Sequence, residues 1–253
     1  MNLIINADDF GINKTVTDAI LATMDSNLCR DTTLLANFEY SAYAADLAIR
    51  KGIKQQIGVH LNLTEGRPLT DGIRSEQRFC DPNGLFHYKK QKRIINLTAS
   101  EKNAVFAELT AQIKRARSFG LPVSHADSHN HVHEEPGLLP IVLEIMKSEN
   151  VPFLRLTNNL EQTFIVKRWY RRFCNSVINS NKLAATDYFG STADYLSKSS
   201  SLKNSSYIEI MIHPGEIKNN QIFDVYSKEN LTSTLPTIIS NHHLISYSQL
   251  NKL

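Results

Sequence analysis

Two short runs limit what this chain can become. Leu3-Ile4-Ile5 and Tyr207-Ile-Glu-Ile-Met-Ile212 are nearly all apolar and rich in β-branched residues. A strand with one wet face alternates apolar and polar residues. A run without that alternation suits a strand covered on both faces, as in a parallel sheet flanked by helices. Each run stops at a polar break, Asn6-Ala-Asp8-Asp9-Phe-Gly11 in the first case and His213-Pro-Gly-Glu216 in the second. After the first break Gly11 permits a sharp turn, Asn13 can cap, and Val16, Ile20 and Met24 recur at helical spacing.

The order strand, polar loop, helix then recurs. Thr32 to Ala36 predicts a strand and Ala42 to Lys51 a helix closed by Gly52, while Ile57-Gly-Val-His60-Leu-Asn-Leu-Thr64 starts apolar and turns polar. Thr98-Ala-Ser-Glu101 is a capping box, followed by one stripe of Val105, Phe106, Leu109, Ile113 and Ala116. Further helices are expected at Leu138 to Met146, near 162–179 and at Asn230 to Ser240, with strands at Phe153 to Leu156 and Leu244 to Tyr247. Such alternation argues a parallel α/β sheet or barrel with right-handed crossovers. The 253 residues suit one domain, 1–253. Residues 66–96 lack periodicity and are expected to be an insertion over the strand ends.

Net charge is only +3, and the clusters Lys89 to Arg93 and Lys167 to Arg172 are short and isolated. Both read as solvated faces, so no nucleic-acid or membrane patch is expected. The first residues reach two acids by position 9 without a cationic leader, and no apolar stretch is long enough for a membrane span. Cys29, Cys80 and Cys174 are odd in number and far apart, which suggests free thiols in a cytoplasmic protein rather than disulfides or a thiolate zinc site.

Four polar clusters share one address. Asp8/Asp9, His60, His129 and His213 each fall at or just beyond the C-terminal end of an expected strand, the rim where α/β barrels place their sites. His129 belongs to the row His125-Ala-Asp-Ser-His-Asn-His-Val-His133, whose every-second spacing would project one way from an extended strand. The whole row cannot serve one ion, because its extended ends lie about 26 Å apart. His125 is expected deep in its strand, with His131 and His133 in the loop beyond. Asp9, His60 and His129 supply one carboxylate and two imidazoles, a ligand set for a divalent metal with an open position. Asp8 is placed to act as a base, and His213 as a proton donor.

Together these motifs resemble the YdjC-like carbohydrate deacetylases, and they occur in the family's order across nearly the whole chain. The resemblance implies a distorted TIM-like (β/α) barrel related to polysaccharide deacetylases. The implied reaction removes an N-acetyl group from an N-acetylated sugar with a divalent metal. Carried over by motif, Asp9, His60 and His129 ligate, Asp8 is the base and His213 the catalytic-side histidine. Asp127 is expected to orient a histidine, and His131 and Arg155 are candidate substrate contacts. The family implies magnesium, whereas two imidazoles suit zinc or another transition metal better. Two alternatives stay open: a metal-dependent phosphoesterase or other hydrolase on the same rim, and a non-catalytic carbohydrate-binding protein. The sequence leaves sugar, metal and oligomeric state open, a homo-oligomer included.

Overall fold

A computed structural model describes residues 1–89, 94–183 and 186–250. It begins with β1 (Asn2–Phe10), α1 (Lys14–Asp25), β2 (Asp31–Leu34), α2 (Ser41–Arg50), β3 (Ile57–Leu61), α3 (Asp71–Arg74), α4 (Ala99–Ser118) and β4 (Ala126–Ser128). There follow α5 (Leu139–Ser148), α6 (Ile165–Ser180), β5 (Tyr188–Ser191), α7 (Thr192–Lys198) and β6 (Tyr207–Ile212). A hairpin of β7 (Pro214–Lys218) and β8 (Gln221–Asp224), then α8 (Leu231–Ile239) and β9 (His243–Leu244), complete the chain.

The strands run in the order β4-β3-β2-β1-β6-β5, every neighbouring pair parallel, in one curled α/β domain. β9 pairs with Asn2 and Leu3, on the edge of β1 that β2 occupies from Asn6 onward. The apolar runs sit where their composition requires: Leu3, Ile4, Ile5, Ile208 and Ile210 are fully buried. Asn13 Oδ1 accepts from Val16 N at 2.9 Å and caps α1. The Thr98/Glu101 box opens α4, and Val105, Leu109, Ile113 and Ala116 pack it into the core. Gly58 shows how tightly β3 approaches β4, since a Cβ there would lie 2.7 Å from both the ring and the carbonyl oxygen of His125.

Several expectations need correction. Phe153 to Leu156 is not a regular strand; only Leu154 bridges to Ala126. Asn158 Oδ1 accepts from Leu160 N and Glu161 N and turns the backbone out of extended form before a ladder can grow. Residues 153–160 thus bond to β4 at one end and, through Asn159 N and Leu160 N to Phe189 O, to β5 at the other. Among the described residues the regular strands form an arc, not a complete eight-stranded barrel. The histidine row does behave as expected, a strand and then a loop: it leaves strand geometry after Ser128, where Asn130 and His131 take φ of 53° each and the chain coils tightly to Glu134. The last strand stops at Leu244, where Ser246 caps a single helical turn.

Elements without a forecast are α3, β5, α7 and the β7–β8 hairpin, whose Asn219-Asn220 turn has φ of 50° and 60°. The cluster at Lys167 to Arg172 is not a uniformly solvated face, since Arg171 is buried against Glu161. The other basic cluster lies, from Lys90 to Arg93, outside the described residues.

Candidate metal centre and active site

The site gathers at the C-terminal ends of β1, β3 and β4 and at the loop after β6. Adjacent residues of a strand point to opposite faces, so Asp8 and Asp9 can meet in one cavity only if the strand is distorted. It is: Asp9 has φ of 72°, and the register with β2 shifts between Ala7 and Phe10. Both acids line a cavity of about 220 Å³ with His60, His129, His131 and His213.

Asp9, His60 and His129 form a buried group whose donor atoms lie within 4.8 Å of one another. His129 Nδ1 is 2.8 Å and His60 Nε2 3.3 Å from Asp9 Oδ1. Neither is aligned as a hydrogen bond, so Asp9 Oδ1 is buried without a hydrogen-bond donor, and His129 Nε2 has only the Glu65 carboxylate, 3.3 Å away, near it. A buried oxygen beside two imidazoles, all unaligned for bonding to each other, fits a shared cation between them.

A second triplet, Asp8, His60 and Asp127, is equally close-knit, but its carboxylates are already committed. Arg155 holds Asp8 at 2.6 and 2.8 Å and Asp127 at 2.7 Å. Asp127 Oδ1 also sits 2.6 Å from His60 Nδ1, which fixes the ring with Nε2 turned toward Asp9. The fully buried Arg155 lies beneath the acids and makes a third pair with Glu209 at 2.7 Å, itself held by Tyr247. Arg155 does not line the cavity, so its place is one of support rather than contact with a ligand.

The ionisation of the group reports its field. Burial works to raise the Asp9 carboxyl, but His129 and His60 outweigh it and hold it well below the usual range. Burial opposes charge on His60 too, yet Asp127 and then Asp9 push it up to about 10. His129 is also raised against burial, by Asp9 and Glu65. This is a site that draws in positive charge.

His213 reaches the cavity from the loop between β6 and β7. Its Nε2 lies 3.9 Å from Asp8 Oδ2, and its Nδ1 lies 3.7 Å from Asp224 Oδ2. Burial lowers its pKa, but Asp224 and then Asp8 more than reverse that. Asp224 is correspondingly pulled down to about 2 despite its own burial.

The remaining histidines separate. His131 lines the cavity and meets Phe189 edge-on, whereas His133 is buried against Ser128 Oγ at 2.5 Å. His125 stacks on Tyr247 below the site, and burial lowers its pKa to about 3. Three residues escaped sequence reasoning. Glu65 stands 3.3 Å from His129, Tyr226 packs edge-on against His213 at 4.6 Å, and Asp224 supports that ring. The hairpin that brings Asp224 round was signalled only by Asn219-Asn220.

With that geometry in place, comparison with known proteins is informative. Residues 2–243 match the family model for YdjC-like proteins. A Clostridium beijerinckii protein named carbohydrate deacetylase is 29% identical over 85% of this chain and 82% of its own. Relatives of the same name from Vibrio parahaemolyticus and Geobacillus stearothermophilus are each 36% identical over 60% and 59% of this chain; the matches span 58% and 57% of those proteins. An Enterococcus faecalis V583 crystal structure, described provisionally as a cellobiose-phosphate cleavage protein, superposes with a TM-score of 0.73 over 98% of both chains. At 22% identity it supports the fold alone. The motif order read from the sequence and the match over residues 2–243 agree: the chain belongs to the YdjC-like protein family.

Proposed function

We propose that this chain is a carbohydrate deacetylase, hydrolysing the N-acetyl group of an N-acetylated amino sugar or short oligosaccharide to acetate and a free amine. The observation that carries the reading is the convergence of Asp8 and His213 on the cavity that holds the Asp9, His60 and His129 group. The relatives named carbohydrate deacetylase support the reaction class.

Asp9, His60 and His129 would hold a divalent ion, which when bound polarises a carbonyl oxygen and eases deprotonation of water. Two imidazoles among three ligands favour zinc or another transition metal over the magnesium implied by family resemblance. Asp8 takes the proton from the attacking water, and the two-point clamp of Arg155 fixes its orientation. His213, whose pKa Asp224 raises, delivers a proton to the departing amine. Asp127 holds the His60 ring in place.

A neighbouring cavity of about 630 Å³ shares Asn130 and His131 with the first and adds Glu65, Phe86, His87 and Tyr88. It has the size and polar-aromatic lining for sugar rings, with Phe86 to Lys89 of the expected insertion as one wall of the sugar site and His131 as a contact. The closure of the arc by residues 153–160 supports a distorted TIM-like barrel of the polysaccharide-deacetylase kind. The three cysteines are buried and free, in keeping with a cytoplasmic setting.

The test is acetate release from a panel of N-acetylated mono- and oligosaccharides, after stripping and reconstitution with magnesium, zinc, manganese or cobalt. Metal-dependent acetate release is expected. Phosphate release from phosphorylated sugars instead, or sugar binding without acetate when metal is demonstrably bound, would replace the deacetylase reading.

A further inference from the structure

Helix α6 is built inside out. Its inward side carries Arg171, Cys174, Asn175 and Ile178. Arg171 pairs with Glu161 at 2.5 Å, and the Asn175 amide exchanges hydrogen bonds with Thr157. Its outward side carries Ile165, Val166, Trp169 and Phe173, all 61–77% exposed, with Phe164 just ahead at 88%. At 3.6 residues per turn the four helical positions fall within about 100° of arc. A lone exposed apolar side chain is ordinary; a contiguous protruding band marks a contact surface.

The band has a cationic edge. Arg168 and Arg172 lie one turn apart beside it and meet no carboxylate among the described residues; the Arg172 guanidinium sits 5.7 Å over the Trp169 ring. The band also adjoins the rim. Tyr170 Oη donates to Glu134 O, at the end of the coil that carries His129 and His131. Ile95, 67% exposed, adjoins the same turn, where Gly137 N donates to Ile94 O.

We propose that this face docks on an anionic membrane surface. Phe164, Trp169 and Phe173 enter the headgroup layer, and Arg168 and Arg172 rest on lipid phosphates. Charge selects this occupant, because uncompensated arginines flanking an aromatic band complement an anionic bilayer. A two-fold contact with a second copy is the competing occupant, which the test separates. Shape agrees: the band lies on one exposed helix face, and a bilayer accepts a convex helix face without needing a matching groove. No helix among the described residues is long and apolar enough to cross a membrane, so the attachment is peripheral. It holds the mouth of the cavity close to the headgroups. The sequence pattern concealed this because the basic residues of the cluster divide between the buried and the outward side of α6.

The test is co-sedimentation of the full chain with vesicles of phosphatidylcholine alone and of phosphatidylcholine mixed with phosphatidylglycerol. Binding to the mixed vesicles that weakens as salt rises is expected. Trp169→Ser with Phe173→Ser should abolish it, and Arg168→Gln with Arg172→Gln should weaken it by roughly fivefold per arginine. Circular dichroism melts confirm that each variant is folded. A chain that stays in the supernatant with both vesicle types, or binding unchanged in both double variants, overturns the proposal. A dimer seen by light scattering that the Trp169/Phe173 variant dissociates, without vesicle binding, assigns the face to a second copy instead.

Discussion

The two sides of the cavity are built differently. Asp9, His60 and His129 rise from β1, β3 and the end of β4, parallel strands of one sheet, over a buried layer in which Arg155 ties together Asp8, Asp127 and Glu209. His213 instead begins a two-stranded hairpin outside the main sheet, and its ring is supported by Asp224 and Tyr226. The first side fixes charges in place, as a metal site needs. The second has fewer constraints, which suits the proton transfer proposed for His213.

The sharpest way to break the contrast is Arg155→Met. It leaves three buried carboxylates without their counter-charge and should cost about 3–5 kcal/mol of unfolding free energy, read by urea denaturation. His213→Gln should leave the denaturation midpoint nearly unchanged; equal losses would mean the two sides are equally structural. Next, Asp8→Asn should lower kcat by about 10²–10⁴ while a metal titration still reports one tightly bound ion. Turnover retained in that variant would remove Asp8 as the base.

On the hairpin side, Asp224→Asn removes the carboxylate that raises the His213 pKa. The donor then loses its proton at lower pH, so the alkaline limb of kcat/KM moves down in pH, with about a tenfold loss near the optimum. An unmoved limb would show that His213 is not the titrating acid. The smallest effect is expected for Tyr226→Ala: KM rises about two- to tenfold with kcat nearly kept, because a ring lining the cavity is lost. A fall in kcat alone would place the tyrosine in the chemistry.

The same division governed how much the sequence disclosed. The strand-borne groups were legible because Leu3 to Ile5 and Ile57 to Leu61 announce buried strands, and each polar residue beyond them falls on the rim. Asp224 and Tyr226 were not, because the eleven-residue separation of Asp224 from His213 closes only through a hairpin whose turn rests on two asparagines in the left-handed region, and Tyr226 follows Asp224. The histidine row was legible as a strand followed by a loop, but not the directions of its last members: Asn130 tolerates positive φ and diverts the chain, sending His133 inward and His131 to the cavity. Arg155 was visible but misplaced, since nothing in Phe153-Leu-Arg-Leu156 signals that three acids from other segments converge beneath it.

The left-handed backbone at Asp9 has a consequence for the evolution of the fold. Holding an L-residue at φ of 72° costs about 1 kcal/mol, and glycine would remove that cost. Drift toward robustness therefore runs directly against a ligand of the proposed metal site, so some lineages can lose their chemistry while becoming sturdier. A scan of natural variants for glycine at this one position would separate catalysts from retired scaffolds without any assay.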